Sequence, residues 1–138
     1  MARILCIDYG GKRTGIAVTD PLQIIATGLT TIETKNFISF LKDYFSKEQV
    51  EKIIIGMPLN MDDSATDATP LVINAIKQLN KHFPNIPVET VDERYSSKMA
   101  KAAMLEMGMK KMQRRKKELV DEIAATMMLQ EYMERMQM

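Results

Sequence analysis

The chain has 138 residues, 46% of them hydrophobic, so it is one domain's length and can bury a core unaided; residues 1–138 are expected to form a single domain. Its one cysteine, Cys6, excludes a disulfide framework, and no apolar run approaches the ~20 residues that cross a bilayer, so a cytoplasmic protein without membrane contact is expected. With 19 basic against 18 acidic residues the net charge is +1, and any case for a polyanionic partner must come from where the charges lie.

The first element is an apolar run, Ile4 to Asp8, that does not alternate with polar residues and so suits a strand covered on both faces. Further strands are predicted over Gly15 to Thr19 and Ile24 to Ile32, joined by short glycine-rich or Asp-Pro breaks that favour an antiparallel meander. The period then changes: Phe37, Phe40, Leu41, Tyr44 and Phe45 recur at helical spacing. Lys52 to Gly56 is a buried strand ended by Met57-Pro58. Thr69-Pro70 reads as an N-cap followed by proline at the first helical position, and Val72, Ile76, Leu79 and Phe83 form that helix's buried stripe. Val88 to Val91 is the last strand. Ser96 or Ser97 caps a third helix that ends at Gly108, and a final helix runs from about Lys116. The order β-β-β-α-β-α-β-α-α predicts an α/β fold, a mixed five-stranded sheet with helices on both faces.

Ligands of open α/β sheets sit outside the carboxyl ends of the parallel strands. The residues there are Asp8, then Gly56-Met57-Pro58, then Asp92-Glu93-Arg94. Carboxylates facing one crevice repel unless a cation lies between them, and an oxygen-rich site suits Mg2+ or Mn2+. A third carboxylate, Asp121, falls at the edge of a stripe formed by Val120, Ile123, Ala124, Met127 and Met128. Gly10 and Gly11 leave room for a phosphate to approach the main chain, where Lys12 and Arg13 can neutralise it. The run Lys110, Lys111, Arg114, Arg115, Lys116 and Lys117 puts six cations in eight residues before the Asp121 helix, an electrostatic footprint for nucleic acid. Plainer roles suit other residues: His82 on a helix surface, the methionines as core filler, and Ser96 and Ser97 as caps, with no base placed to activate them.

Four blocks, DYGGKRTGIAVTD (Asp8 to Asp20), IIIGMPLNMD (Ile53 to Asp62), VDERYSS (Val91 to Ser97) and VDEIAATMMLQEYM (Val120 to Met133), resemble the signature of the YqgF/RuvX family. They cover almost the whole chain, in order and with compatible spacing. The resemblance implies an RNase H-like fold and a nuclease, provisionally described as acting on pre-16S rRNA and earlier as a Holliday junction resolvase. It implies that Asp8, Asp92 or Glu93, and Asp121 hold two divalent ions, which in such sites stand about 3.5 to 4 Å apart. It adds Asn60 and Arg94 to the nucleic-acid contacts, and implies structured RNA, ribosomal precursor particles or branched DNA as partners of a monomer or homodimer. The chain departs from the family at Asp63, where glycine is usual. The choice between Asp92 and Glu93 stays open, because a carboxylate two strands from Asp8 starts roughly 10 Å away.

Overall fold

The computed structural model describes residues 2–58, 62, 64–92 and 117–136, the side chains of 117–121 excepted. Five strands, β1 (Arg3–Tyr9), β2 (Arg13–Thr19), β3 (Ala26–Glu33), β4 (Val50–Met57) and β5 (Val88–Asp92), form one sheet in the order β3-β2-β1-β4-β5. Where a short turn joins consecutive strands, in β1-β2 and β2-β3, the pairing is antiparallel. Where a helix intervenes it is parallel, as in β1-β4 and β4-β5. Helix α1 (Phe37–Lys47) follows a 3-10 turn (Thr34–Asn36), α2 (Thr69–His82) lies between β4 and β5, and α3 (Lys117–Met136) is the last element. The predicted helix from Ser96 to Gly108 lies outside the described residues.

Pleating sorts each strand's residues between two cores. Leu5, Ile7, Ile16, Val18, Ile53 and Ile55 pack with Phe37 and Leu41 of α1 and Val72, Ala75 and Leu79 of α2. Ile4, Cys6, Ala17, Ile54 and Val91 pack instead with Ala125, Met128, Leu129, Tyr132 and Met133 of α3. Helices therefore cover both faces, as the element order predicts. Burying both faces explains why β1 and β4 read as unbroken apolar runs.

Helix α3 runs opposite to β1. At its far end Lys52 Nζ donates to Tyr132 Oη at 2.7 Å and Tyr132 Oη donates to Glu89 Oε2 at 2.8 Å, which ties that end to the beginnings of β4 and β5. Its start therefore points toward the carboxyl ends of the parallel strands. Alanines 124 and 125, both fully buried, let the helix come close, and at Gly28 the approach is so tight that a Cβ would lie 2.6 Å from Glu122 Oε1.

Three local expectations are corrected. Strand β3 starts at Ala26 rather than Ile24, because the Asp20 carboxylate accepts the N–H groups of Ile24 and Ile25 at 2.7 and 2.8 Å and holds them in a turn. Thr69 does not cap α2: its hydroxyl donates to the Pro58 carbonyl at 2.5 Å, tying the helix start to the end of β4. The buried stripe of α3 is rotated from the expected one, toward Ala125, Met128, Leu129 and Tyr132, leaving Ile123 and Met127 only partly buried. Position 121 stands one helical turn before Ala125.

Candidate active site at the carboxyl end of the sheet

Asp8 is the next-to-last residue of β1 and is partly buried. It follows Ile4 and Cys6 in the alternation and so faces the α3 side, while Tyr9 turns to the other side and packs edge-on against Phe37 at 5.1 Å. Burial pushes the Tyr9 phenol above its usual range, which keeps it protonated at neutral pH and removes it as a candidate base. Across β2 the partner of Asp8 is Gly15, and on β4 the pairing of Ile7 with Ile55 makes Gly56 the residue at its level. A glycine therefore stands at the level of Asp8 on each flanking strand.

Asp92 ends β5, exposed, two strands from Asp8. It pairs with Met57, which packs on the α1–α2 core, whereas Val91 pairs with Gly56 and belongs to the α3 core. Asp8 and Asp92 thus leave the pleated sheet on opposite faces. Asn60, Glu93, Arg94, Lys110, Lys111, Arg114, Arg115 and Lys116 lie outside the described residues, as do the side chains of Lys117 and Asp121. Among the described residues no group of three or more His, Cys, Asp or Glu side chains gathers at one point.

The glycine loop between β1 and β2 is built for close approach. A Cβ on Gly10 would collide with the Arg13 carbonyl oxygen, so the tight turn requires glycine there. Gly11 and Lys12 are exposed beside it, and Arg13 is partly buried opposite Glu33 of β3. A buried hydroxyl pair supports the loop: Thr14 Oγ1 and Thr34 Oγ1 stand 2.8 Å apart, and Thr34 donates to the Gly10 carbonyl at 2.6 Å. Sequence reading missed this pair. The available signal was a threonine, Thr14, at an inward position of an apolar strand.

The chain matches the family described as RuvX, Holliday junction resolvase, over residues 2–135. The chain belongs to this family. A curated relative from Flavobacterium psychrophilum, named "Putative pre-16S rRNA nuclease", is 53% identical over 135 residues, 98% of each chain. A protein of the same name from Bacteroides thetaiotaomicron is 52% identical over 134 residues, 97% of each. Among solved structures the fold is similar to the Fowlpox virus resolvase in complex with substrate Holliday junction DNA, with a TM-score of 0.59 at 14% identity over 97% of this chain and 98% of that one. It is also similar to T. thermophilus RuvC in complex with a Holliday junction substrate, with a TM-score of 0.57 at 16% identity over 99% and 96%. The expected RNase H-like fold is the fold found.

Proposed function

We propose that this RuvX-family chain is a metal-dependent phosphodiesterase that cleaves structured RNA in the 5′ region of a 16S rRNA precursor; the name of its curated relatives supports the precursor as substrate. The observation that carries the chemistry is the placement of Asp8: a partly buried carboxylate at the carboxyl end of a central parallel strand, with a glycine at its level on each neighbour. Hard carboxylate oxygens in such a place fit Mg2+ or Mn2+. Asp8, Asp121 and one carboxylate of the Asp92-Glu93 pair would hold the metal. When bound, it supplies Lewis acidity that makes water a better nucleophile and offsets charge on the phosphate oxygens.

Support for Asp121 comes from the helix it stands on. Ala125 shares a core with Cys6 and Ala17, which pair with each other. Two residues further along β1 is Asp8, paired with Gly15, and one turn earlier along the oppositely running α3 is position 121. The Gly10–Arg13 loop holds the substrate backbone through Lys12 and Arg13, and Arg94 together with the Lys110 to Lys117 run extends the cationic surface.

The test is cleavage of a labelled precursor rRNA fragment beside a four-way DNA junction, with manganese, magnesium or chelator, by parent and Asp8→Asn protein. Metal-dependent cutting of the RNA that Asp8→Asn loses, with unfolding temperature and RNA binding retained, is the expected result. Cutting of the junction alone moves the substrate to branched DNA, which needs a two-fold dimer to make paired incisions. Salt-sensitive binding with cutting of neither leaves a nucleic-acid-binding module that does not cleave.

A further inference from the structure

A groove of about 470 Å³ opens beside the glycine loop, lined by Gly11, Lys12, Arg13, Glu33 and Lys35. Its two walls are tied together by Thr34, which is buried between the exposed Glu33 and Lys35. The Thr34 N–H donates to the Lys12 carbonyl at 2.9 Å, and the Thr34 hydroxyl donates to the Gly10 carbonyl at 2.6 Å. A hydroxyl has one proton, so the 2.8 Å contact with the fully buried Thr14 must be donated by Thr14. The loop bearing Lys12 and the turn bearing Lys35 are therefore one unit.

Three cations share this groove with one acid. Glu33 Oε2 lies 3.2 Å from Lys35 Nζ, with the two side chains 65% and 76% exposed. Such an exposed pair is worth little and exchanges readily for a phosphate. Arg13 stands two residues along β2 from Gly15, the partner of Asp8, and Glu33 one strand further out, so the groove lies about 7 Å beyond Asp8 along the strands and about 5 to 10 Å to the side. That spacing suits a phosphate flanking the scissile one.

We infer that this groove binds the nucleic-acid backbone at a flanking phosphate, with Lys35 as a contact beside Lys12 and Arg13, Glu33 as a competing anion, and Thr34 as the positioning residue that holds the two walls together. The inference rests on the nucleic-acid reading above, though not on cleavage.

Fluorescence anisotropy of a labelled RNA duplex in EDTA, across a salt series, tests it without turnover. Losing one phosphate contact in Lys35→Ala flattens the slope of log affinity against log salt by about 0.7 to 0.9, which narrows the affinity gap between about 50 and 200 mM salt roughly threefold. Glu33→Gln moves affinity the other way and tightens binding. Thr34→Val flattens the slope as Lys35→Ala does, and Thr34→Ser restores it, an outcome that a merely structural threonine would not give. Should Thr34→Val fail to fold, the two surface variants decide. Parental slope and affinity in both Lys35→Ala and Glu33→Gln overturn the inference while leaving the nucleic-acid reading intact, whereas a parent protein that binds no RNA removes both. Inorganic phosphate that competes as well as the duplex does would also overturn it, since the groove would then hold a free anion.

Discussion

Gly28 sets how closely α3 lies on the sheet, and enlarging it links packing to activity. A Cβ there would lie 2.6 Å from Glu122 Oε1, 2.8 Å from Glu122 Cγ and 3.0 Å from Thr126 Oγ1. Glu122 can swing aside, but Thr126 is held by its own bond to the Glu122 carbonyl at 2.8 Å. In Gly28→Ala the strain of about 1 kcal/mol is offset by the ~0.5 to 1 kcal/mol gained when glycine leaves a strand, so stability should stay within about 1 kcal/mol of the parent. Gly28→Val adds two methyl groups that the helix backbone must accommodate. Overpacking at about 1 to 3 kcal/mol then exceeds the ~1 kcal/mol span of strand propensity, and for a chain of this size the unfolding midpoint should fall by roughly 3 to 8 °C. Because α3 also carries position 121, a shift of ~1 Å should lower cleavage on the order of 100-fold, measured where both proteins are folded. Thermal unfolding run beside metal-dependent cleavage checks both numbers. A Gly28→Val protein with parental midpoint and rate would show that this contact does not place the helix.

Two further predictions concern how the frame is held. Asp20 accepts the N–H of Ile25, and secondarily that of Ile24, which holds its carboxyl below the ordinary aspartate range; the stability it lends is present at neutral pH and lost as pH falls through that lowered value. Asp20→Asn should therefore show a flatter dependence of unfolding midpoint on pH between about 5 and 2, and a slope as steep as the parent's would refute the assignment. Thr69→Val takes from the partly buried Pro58 carbonyl and the Thr66 N–H the hydroxyl that now serves both at 2.5 and 2.8 Å, and should cost about 1 kcal/mol in urea unfolding.

Strands β1 and β4 were readable because burial on both faces writes them as plain apolar runs, and α1 because its aromatic residues keep a helical period. The misread places share a cause, which is a side chain reaching beyond its own segment. Ile24 and Ile25 look like strand, yet the Asp20 carboxylate takes their N–H groups and leaves both about two-thirds exposed. Thr69 has the residue type of a cap and spends its hydroxyl on β4. In α3 the large Ile123 and Met127 dominate the periodicity, whereas close contact at Gly28 favours the small Ala124 and Ala125 against the sheet. At the site, Asp8 and the glycine loop could be found from chain order alone. The tie from Thr34 to Gly10 spans 24 residues, and no local pattern announces it.

Strand register bears on which carboxylate joins Asp8. Val91 pairs with Gly56 on the α3 face, where Asp8 lies, and Asp92 pairs with Met57 on the other face. A carboxylate at position 92 would have to come around the strand end and still cross the ~10 Å from β5 to β1. Were the two-residue alternation to continue past Asp92, position 93 would fall on the Asp8 face, and glutamate has one more methylene with which to cross the level of Gly56. We therefore expect Glu93→Gln to lower single-turnover cleavage on the order of 100-fold or more, as loss of a metal-holding carboxylate does, and Asp92→Asn to lower it by less than about 10-fold. Both variants should bind RNA in chelator as the parent does, which separates lost chemistry from lost substrate. If Asp92→Asn is the inactive protein and Glu93→Gln cuts normally, alternation does not extend past Asp92, and the choice of ligand is made by the path of the chain leaving β5 rather than by the pleat of the strand.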